Sequence, residues 1–310
     1  MTTPAIIVVA AIIRGKDGRI CLGKRPDDKH QGGHWEFPGG KVEPGESLAA
    51  ALARELHEEL AMEQSESAPF MTIVHQYSDL HVTLHFREVF AWQGEPHGRE
   101  GQPVAWFENS ELPGLSFPAA NRPVVTALTL PPSLAIAPPD QSLTSLLQAI
   151  GELDATQTGI YLRHWSQHEA LPEIASCCRY HGIRFWLRMV SEEDAAIAQQ
   201  EGAFGLHLPA AVLAGCDQRP DFAGVVSAAC HDRAEMEKIV SLSLDMAMVS
   251  PVEKTPSHPG ASPLGWPQAA ALMIGQPLAC FALGGLTPDH LPLAREHGAV
   301  GVAGIRAFWS

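Results

Sequence analysis

Between Ala5 and Ile13 the chain reads AIIVVAAII, an apolar run without a polar interruption. A β-branched run that ends on RGKDGRI predicts a buried strand entering a hairpin. The period changes at Leu48. Leu52, Leu56 and Leu60 recur every four residues, which at about 100° per residue forms one apolar stripe. The stretch Leu48 to Met62 has the composition of a strong helix former, and Ser47 stands where an N-cap belongs. A helix over 48–62 is therefore predicted.

The proline-rich stretch LTLPPSLAIAPPD, residues 128–140, is the natural seam. It predicts two domains, 1–130 and 131–310, a division that 310 residues accommodate comfortably. Beyond the seam, short apolar runs alternate with helix-like segments. The runs are SLAIA (133–137), GIYLR (159–163), IRFWLRM (183–189), GAFGLHL (202–208), AGVVSAA (223–229), DMAMVS (245–250), LACFAL (278–283) and AVGVAGI (299–305). Such alternation implies a parallel sheet with crossover connections. Eight units that close on themselves make a (β/α)8 TIM barrel; an open doubly wound sheet fits the same pattern.

Charge narrows the partners. With 21 basic against 35 acidic residues the formal charge is -14, which excludes a non-specific binder of nucleic-acid polymers. Anionic substrates stay possible, because a bound metal reverses the local sign of a site. The six cysteines (Cys21, Cys177, Cys178, Cys216, Cys230, Cys280) form no C-x-x-C pair or zinc spacing, as expected of free thiols in a reducing compartment. The run at 5–13 is too short to span a bilayer, and no basic segment precedes it. A cytoplasmic protein without a membrane partner is expected.

The predicted helix carries an oddity: Glu55, Glu58 and Glu59 share an arc beside the leucine stripe. Carboxylates in the second half of a helix oppose its dipole, and no lysine follows at i+4 to offset them. A hard divalent cation would balance this charge, since such ions prefer carboxylate oxygens. The glycine-rich FPGGKVEPGE upstream supplies backbone able to approach such a site closely.

Gly40, Glu46, Arg54-Glu55-Leu56 and Glu58-Glu59 together resemble the Nudix box, G-x5-E-x7-R-E-U-x-E-E-x-G-U. Ala61 stands in place of the last glycine, and Met62 fills the final aliphatic position. The resemblance implies a Nudix α/β/α sandwich that hydrolyses a nucleoside diphosphate linked to another group, with Mg2+ or Mn2+ as cofactor. It implies Glu55, Glu58 and Glu59 as metal ligands with the Gly39 carbonyl nearby, and Glu46 and Arg54 as supports of the helix.

More of residues 4–130 is similar to the MutT-type branch, which cleaves 8-oxo-dGTP to 8-oxo-dGMP and pyrophosphate. WEFPGGKVEPGE, GEPHGREGQPVAWF and LSFPAANRPVV carry that likeness. It implies Glu100 as a further metal ligand or base, Asn121 as the purine reader, Arg25 near the phosphates and Phe37 at the base pocket. Among Glu55, Glu58 and Glu100 the proton acceptor stays open. For Asn121 there is a chemical reason: 8-oxoguanine carries a hydrogen on N7, where guanine has a lone pair. An amide accepts from N7–H and donates to O6 at once, and with guanine its carbonyl is left unpaired. His30, His34, His75, His81 and His85 receive no role.

Residues 133–310 resemble thiamine phosphate synthase and its TenI-like relatives, which are (β/α)8 barrels. GAFGLHLP, VSAACHD, DMAMVSPVEKTPSHPGASPLGW, FALGGLTPDHL and GAVGVAGIRAFW carry the likeness in order. It implies a phosphate site at Ser250, Gly284, Gly285 and Gly304, and a phosphorylated ligand. The catalytic pattern departs from the synthase. WLRMVSEED replaces an asparagine–aspartate pair, a second metal aspartate has no counterpart in GLHLPAAVLAG, and a lysine position falls at His258. Arg163 keeps a basic residue, Trp165 replaces a nearby lysine, and His207 is a candidate site residue.

Three readings compete. The first is an 8-oxo-dGTP hydrolase joined to a degenerate barrel. In the second, a thiamine-metabolism protein, the Nudix part clears a thiamine-related pyrophosphate. The third makes the barrel a non-catalytic phosphate-ligand module.

Overall fold

The structure is a computed structural model that describes residues 5–26, 32–76, 81–165, 169–255 and 262–309. His30 and His258 lie outside them. The chain divides into two compact units, Met1–Thr129 with Ile274–Pro277, and Leu130–Met273 with Leu278–Ser310.

The first unit contains strands β1 (Ala5–Arg14), β2 (Ile20–Lys24), β3 (Trp35–Glu36) and β4 (Gly39–Lys41), then helix α1 (Leu48–Leu60). Strands β5 (Glu63–Gln76), β6 (His81–Gln93) and β7 (Val104–Phe107) and helix α2 (Arg122–Thr129) follow. The sheet runs β3-β2-β1-β6-β5, with β4 beside β1 and β7 beside β2. The apolar run becomes β1, placed centrally. It pairs in parallel with β6, from Ala5↔His81 to Ile13↔Val89, and antiparallel with β2 and β4. From Val9 to Ile13 both of its faces are covered, which is why the run is continuous there rather than alternating; Ile7, nearer the start, is 44% exposed. Val9, Ala11 and Ile13 pack with Ala51, Leu52, Leu56 and Leu60 of α1 in one core cluster. Burying each leucine contributes about 2 kcal/mol, enough to hold α1 on the sheet despite its acidic arc.

Ser47 caps α1 by accepting from the Ala50 N–H at 3.2 Å. The helix stops at Leu60, two residues short of the end expected from composition. Ala61 adopts φ 56° and ψ 30°, the left-handed conformation. The Ala61 N–H donates to His57 and the Met62 N–H to Leu56, so the turn closes onto the helix, and an alanine bears the strain a glycine would avoid.

In the second unit each of the eight apolar runs contributes a strand. They are β8 (Ser133–Ile136), β9 (Thr158–Leu162), β10 (Phe185–Arg188), β11 (Gly205–Leu208), β12 (Val225–Cys230), β13 (Met246–Val249), β14 (Ala279–Leu283) and β15 (Gly301–Gly304). All pairings are parallel, and Val302↔Ser133 joins the last strand to the first. That pairing closes the barrel and excludes the open sheet. Alternate residues such as Ile160, Leu162, Leu187, Leu206 and Val226 join the core shared with the helices. The intervening positions face inward, where Trp186 fills space left by Gly205: a Cβ there would lie 1.9 Å from the indole nitrogen. Both units bear out the α/β architecture, a Nudix-type sheet-and-helix sandwich and a TIM barrel.

Candidate active site

Helix α1 and strand β4 bring the acidic residues together. Gly39 has φ 148°, and a Cβ on it would sit 2.1 Å from the Val9 carbonyl oxygen. Only glycine fits, and its N–H is thereby free to donate to Glu59 Oε2 at 3.0 Å. Gly40 has a different reason to lack a side chain. Its missing Cβ would lie 2.3–2.5 Å from the carboxylate of Glu55. These two glycines therefore make room, one for β1 and one for a carboxylate.

Arg54 organises the rest. Its Nε and Nη2 donate to both oxygens of Glu46, at 3.1 and 3.0 Å, in the bidentate manner that suits a guanidinium. Nη1 donates to Glu55 at 2.8 Å and to Glu58 at 3.3 Å, and Nη2 also reaches the Lys41 carbonyl at 3.1 Å. Arg54 holds the Glu46 carboxyl below its ordinary range, helped by the Glu43 backbone N–H. Glu59 is pushed the other way, up to about 7. Burial is the main cause, and the negative charges of Glu55, Glu36 and Glu100 add to it against the Gly39 hydrogen bond.

The C-terminal carbonyls of α1 are met by a loop distant in sequence. The His97 N–H donates to Leu60, Arg99 N–H and Gln102 Nε2 to Glu59, and an Arg99 guanidinium N–H to His57. Arg99 thus supplies the positive charge that the end of the helix lacks in its own sequence. The same loop carries Glu100, exposed, close enough for its charge to act on Glu59.

Glu55, Glu58, Glu59 and Glu100 with Gly39 therefore share one region. The donor set is entirely oxygen and suits a hard divalent cation. Among the described residues no three acidic, cysteine or histidine side chains are already gathered around one point; Arg54 stands between Glu55 and Glu58 instead.

The other sequence candidates fall nearby or elsewhere. Arg25 pairs with Glu36 at 2.8 Å. Phe37 is buried, edge-on to Phe86 at 5.6 Å and stacked on Phe117 at 5.7 Å. Phe117 leads into the tight turn Ala119–Asn121, where Asn121 is only 9% exposed. Its backbone N–H donates to Pro118, and its side-chain amide has no hydrogen bond to a described residue. Sequence reasoning missed Glu36, Phe86, Phe117 and Arg99. The strings WEFPGGKVEPGE, GEPHGREGQPVAWF and LSFPAANRPVV contained Glu36, Arg99 and Phe117 without announcing their contacts; Phe86 is brought in by the fold.

In the barrel, Ser250, Gly284, Gly285 and Gly304 line one cavity of about 330 Å³ at the C-terminal ends of the strands. Arg163, His231 and Arg306 line it too, and no described carboxylate does. After β10 the buried acid is Asp194, which accepts from the N–H groups of Val190 and Ser191 at 2.6 and 2.8 Å and so starts helix α5 (Glu193–Glu201) once α3 (Leu143–Glu152) and α4 (Leu171–His181) have been passed. His207 is buried, with Nδ1 3.0 Å from Ser227 Oγ and its ring edge-on to Tyr161 at 4.8 Å. Burial, with Arg163, Arg188 and His231 nearby, drives its pKa down to about 3, so it is neutral. No helix among the described residues is long and apolar enough to cross a membrane.

A mixed sheet with one glutamate-rich helix against it, a glycine pair at its rim and an arginine forked among the carboxylates defines a Nudix hydrolase. Residues 9–127 match the NUDIX domain model, and residues 160–308 match that of thiamine monophosphate synthase. The chain is 39% identical to the 8-oxo-dGTP diphosphatase of Escherichia coli (strain K12) over 39% of its own length and 94% of that protein. It is 41% identical to the CTP pyrophosphohydrolase of the same organism, over 37% and 83%. A solved structure of MutT, from work on Aliivibrio salmonicida and Vibrio cholerae, is 44% identical, covering 40% of this chain and 97% of that one at a TM-score of 0.37. Thiamine phosphate pyrophosphorylase from Pyrococcus furiosus is 15% identical, covering 57% and 89% at a TM-score of 0.44. The chain belongs to the Nudix family, whose hydrolases generally depend on a divalent metal, and carries a barrel of the thiamine-synthase type.

Proposed function

We propose that the first unit hydrolyses 8-oxo-dGTP to 8-oxo-dGMP and pyrophosphate. The observation that carries the reading is Asn121: a residue 9% exposed, whose side-chain amide has no hydrogen-bond partner among the described residues, in the turn whose Phe117 stacks on Phe37. Such an amide keeps its donors and acceptor available to a ligand that presents the complementary pair. 8-Oxoguanine offers N7–H and O6 side by side, and guanine does not. The relatives named 8-oxo-dGTP diphosphatase support the same choice.

Mg2+ or Mn2+ would be held by Glu55, Glu58, Glu59, Glu100 and the Gly39 carbonyl, and when bound supplies charge neutralisation at phosphate oxygens. Water attacks phosphorus, and its proton passes to a carboxylate drawn from Glu55, Glu58 and Glu100. Glu46 and Arg54 hold the helix against the β4 edge, while Phe37 walls the base and Arg25 approaches the phosphates. In the barrel, Ser250, Gly284, Gly285 and Gly304 bind the phosphate of a small ligand through backbone N–H groups. A non-catalytic binding role fits best, because Asp194 is engaged by backbone and no acid among the described residues lines the cavity.

A substrate panel of 8-oxo-dGTP, dGTP, CTP and thiamine diphosphate with Mg2+ tests the reading. Roughly 100-fold higher kcat/KM for 8-oxo-dGTP than for dGTP is expected. CTP belongs in the panel because one relative is named for it. Preference for CTP or thiamine diphosphate overturns the proposal.

A further inference from the structure

The segment from Gly94 to Pro103 joins β6 to β7 and crosses the C-terminal end of α1. Its exit is pinned to the sheet, where the Pro103 carbonyl accepts from the Lys24 N–H at 2.8 Å. Within it the string GREGQ, residues 98–102, folds around one side chain. Gln102 Nε2 donates to the Glu59 carbonyl at 3.0 Å, and its Oε1 accepts from the Glu100 backbone N–H at 2.9 Å. These partners fix which end of the amide is which, since a carbonyl only accepts and an N–H only donates. Gln102 therefore spans from the last turn of α1 to the loop residue Glu100.

The glycines of the string leave room for this tie. A Cβ on Gly98 would lie 1.9 Å from the Gln102 carbonyl oxygen and 3.0 Å from its Oε1. Gly101 takes φ 82°, and its N–H donates to the Gly98 carbonyl at 3.4 Å, which turns the chain between Glu100 and Gln102. The two glutamates that Gln102 connects are held differently. Glu59 is fixed without it: it sits in a helix, the Gly39 N–H donates to its carboxylate, and the Arg99 N–H also donates to its carbonyl. Glu100 is exposed on the loop. An exposed loop loses conformational entropy when its carboxylate is drawn into a site, and a tethered backbone has less to lose.

We propose that Gln102 is a positioning residue of the hydrolase site, whose amide holds Glu100 beside Glu59 so that both carboxylates serve one divalent cation. The proposal rests on Glu100 as a metal ligand, the reading given above. Gln102 acts through Glu100 and needs no contact with the cation of its own. Supporting hydrogen bonds of this kind are worth roughly 10- to 100-fold in metal affinity.

The test is calorimetric titration of the full chain with Mn2+, without nucleotide, as a double-mutant cycle. The proteins compared are the unsubstituted chain, Gln102→Met, Glu100→Gln and the double variant. Methionine keeps the length of glutamine and none of its hydrogen bonds. Gln102→Met is expected to weaken Mn2+ binding by about tenfold, and to have no further effect once Glu100→Gln is present. An unchanged affinity in Gln102→Met overturns the proposal. So does a loss that persists beside Glu100→Gln, which would place the role of Gln102 in the fold of the helix end. If Glu100→Gln alone leaves the affinity unchanged, the ligand reading falls and this proposal with it. Amide exchange on the unsubstituted chain decides the matter even if a variant folds poorly. By linkage, saturating Mg2+ should slow exchange of the Glu100 N–H, and an unaltered rate overturns the tie.

Discussion

The Gly39 N–H donates to Glu59 Oε2 at 3.0 Å, tying the rim of the sheet to the last turn of α1. The bond points a half-buried carboxylate at three other carboxylates, those of Glu36, Glu55 and Glu100. Arg54 donates instead to Glu46, Glu55 and Glu58. The charge imbalance visible along the helix is therefore concentrated on one residue.

Glu59→Gln should stabilise the metal-free protein at high pH. The native state raises this carboxyl from 4.5 to about 7, so it favours the neutral form. That contribution is full below pH 4.5 and is lost as pH rises through 7. Above 7 the ionised group costs on the order of 3 kcal/mol. Glutamine keeps an acceptor for the Gly39 N–H and carries no charge. Urea unfolding in EDTA should show the variant more stable at pH 8 and equal to wild type near pH 4.5, while hydrolysis with Mg2+ falls at least about 100-fold. A variant less stable at pH 8 contradicts the assignment.

The two glycines at the rim should fail differently. Gly40→Ala places a methyl against the Glu55 carboxylate, the far end of a flexible side chain that can swing aside. The fold should lose about 1 kcal/mol or less, and hydrolysis should drop because Glu55 is displaced. Gly39→Ala drives a methyl into the Val9 carbonyl at a φ of 148°, where neither backbone can yield. It should cost about 3 kcal/mol or more. Thermal melting together with turnover separates the two, and equal melting temperatures would contradict this division of roles.

Much of this was legible in the sequence, for physical reasons. Continuous apolar runs such as LACFAL mark strands buried on both faces, and all eight became barrel strands. The glutamates of α1 were legible because a helix fixes their spacing. What was hidden depends on contacts across long separations. Arg99 donates to the carbonyl of His57, 42 residues earlier, and no local pattern announces it. Phe117 reaches Phe37 in the same way. The end of α1 was misjudged because composition favours continuing the helix, whereas Ala61 and Met62 turn back onto Leu56 and His57.

Ala61→Gly should stabilise the first unit by about 1 kcal/mol. Alanine at φ 56° and ψ 30° carries the left-handed penalty that glycine escapes. A methyl group can neither bind a metal nor carry a proton, so kcat should stay within twofold. Denaturant unfolding checks the first statement and steady-state kinetics the second. A destabilised Ala61→Gly variant would mean that the helix continues through this residue in solution.

Asn121→Ala should erase discrimination between 8-oxo-dGTP and dGTP while leaving the chemistry intact. Asn121 lies in the turn Ala119–Asn121, outside α1, and is 9% exposed with its side chain unpaired among the described residues. Its removal takes away both the acceptor for N7–H and the donor to O6. KM for 8-oxo-dGTP should rise by about tenfold to 100-fold, as expected for losing a pair of buried hydrogen bonds. With dGTP the native amide carbonyl faces a lone pair, so alanine removes a repulsion and KM should fall or hold steady. KM rises for one nucleotide and not for the other, which a general loosening of the pocket could not produce. Loss of kcat for both nucleotides with their ratio unchanged would assign Asn121 to the fold and not to the base.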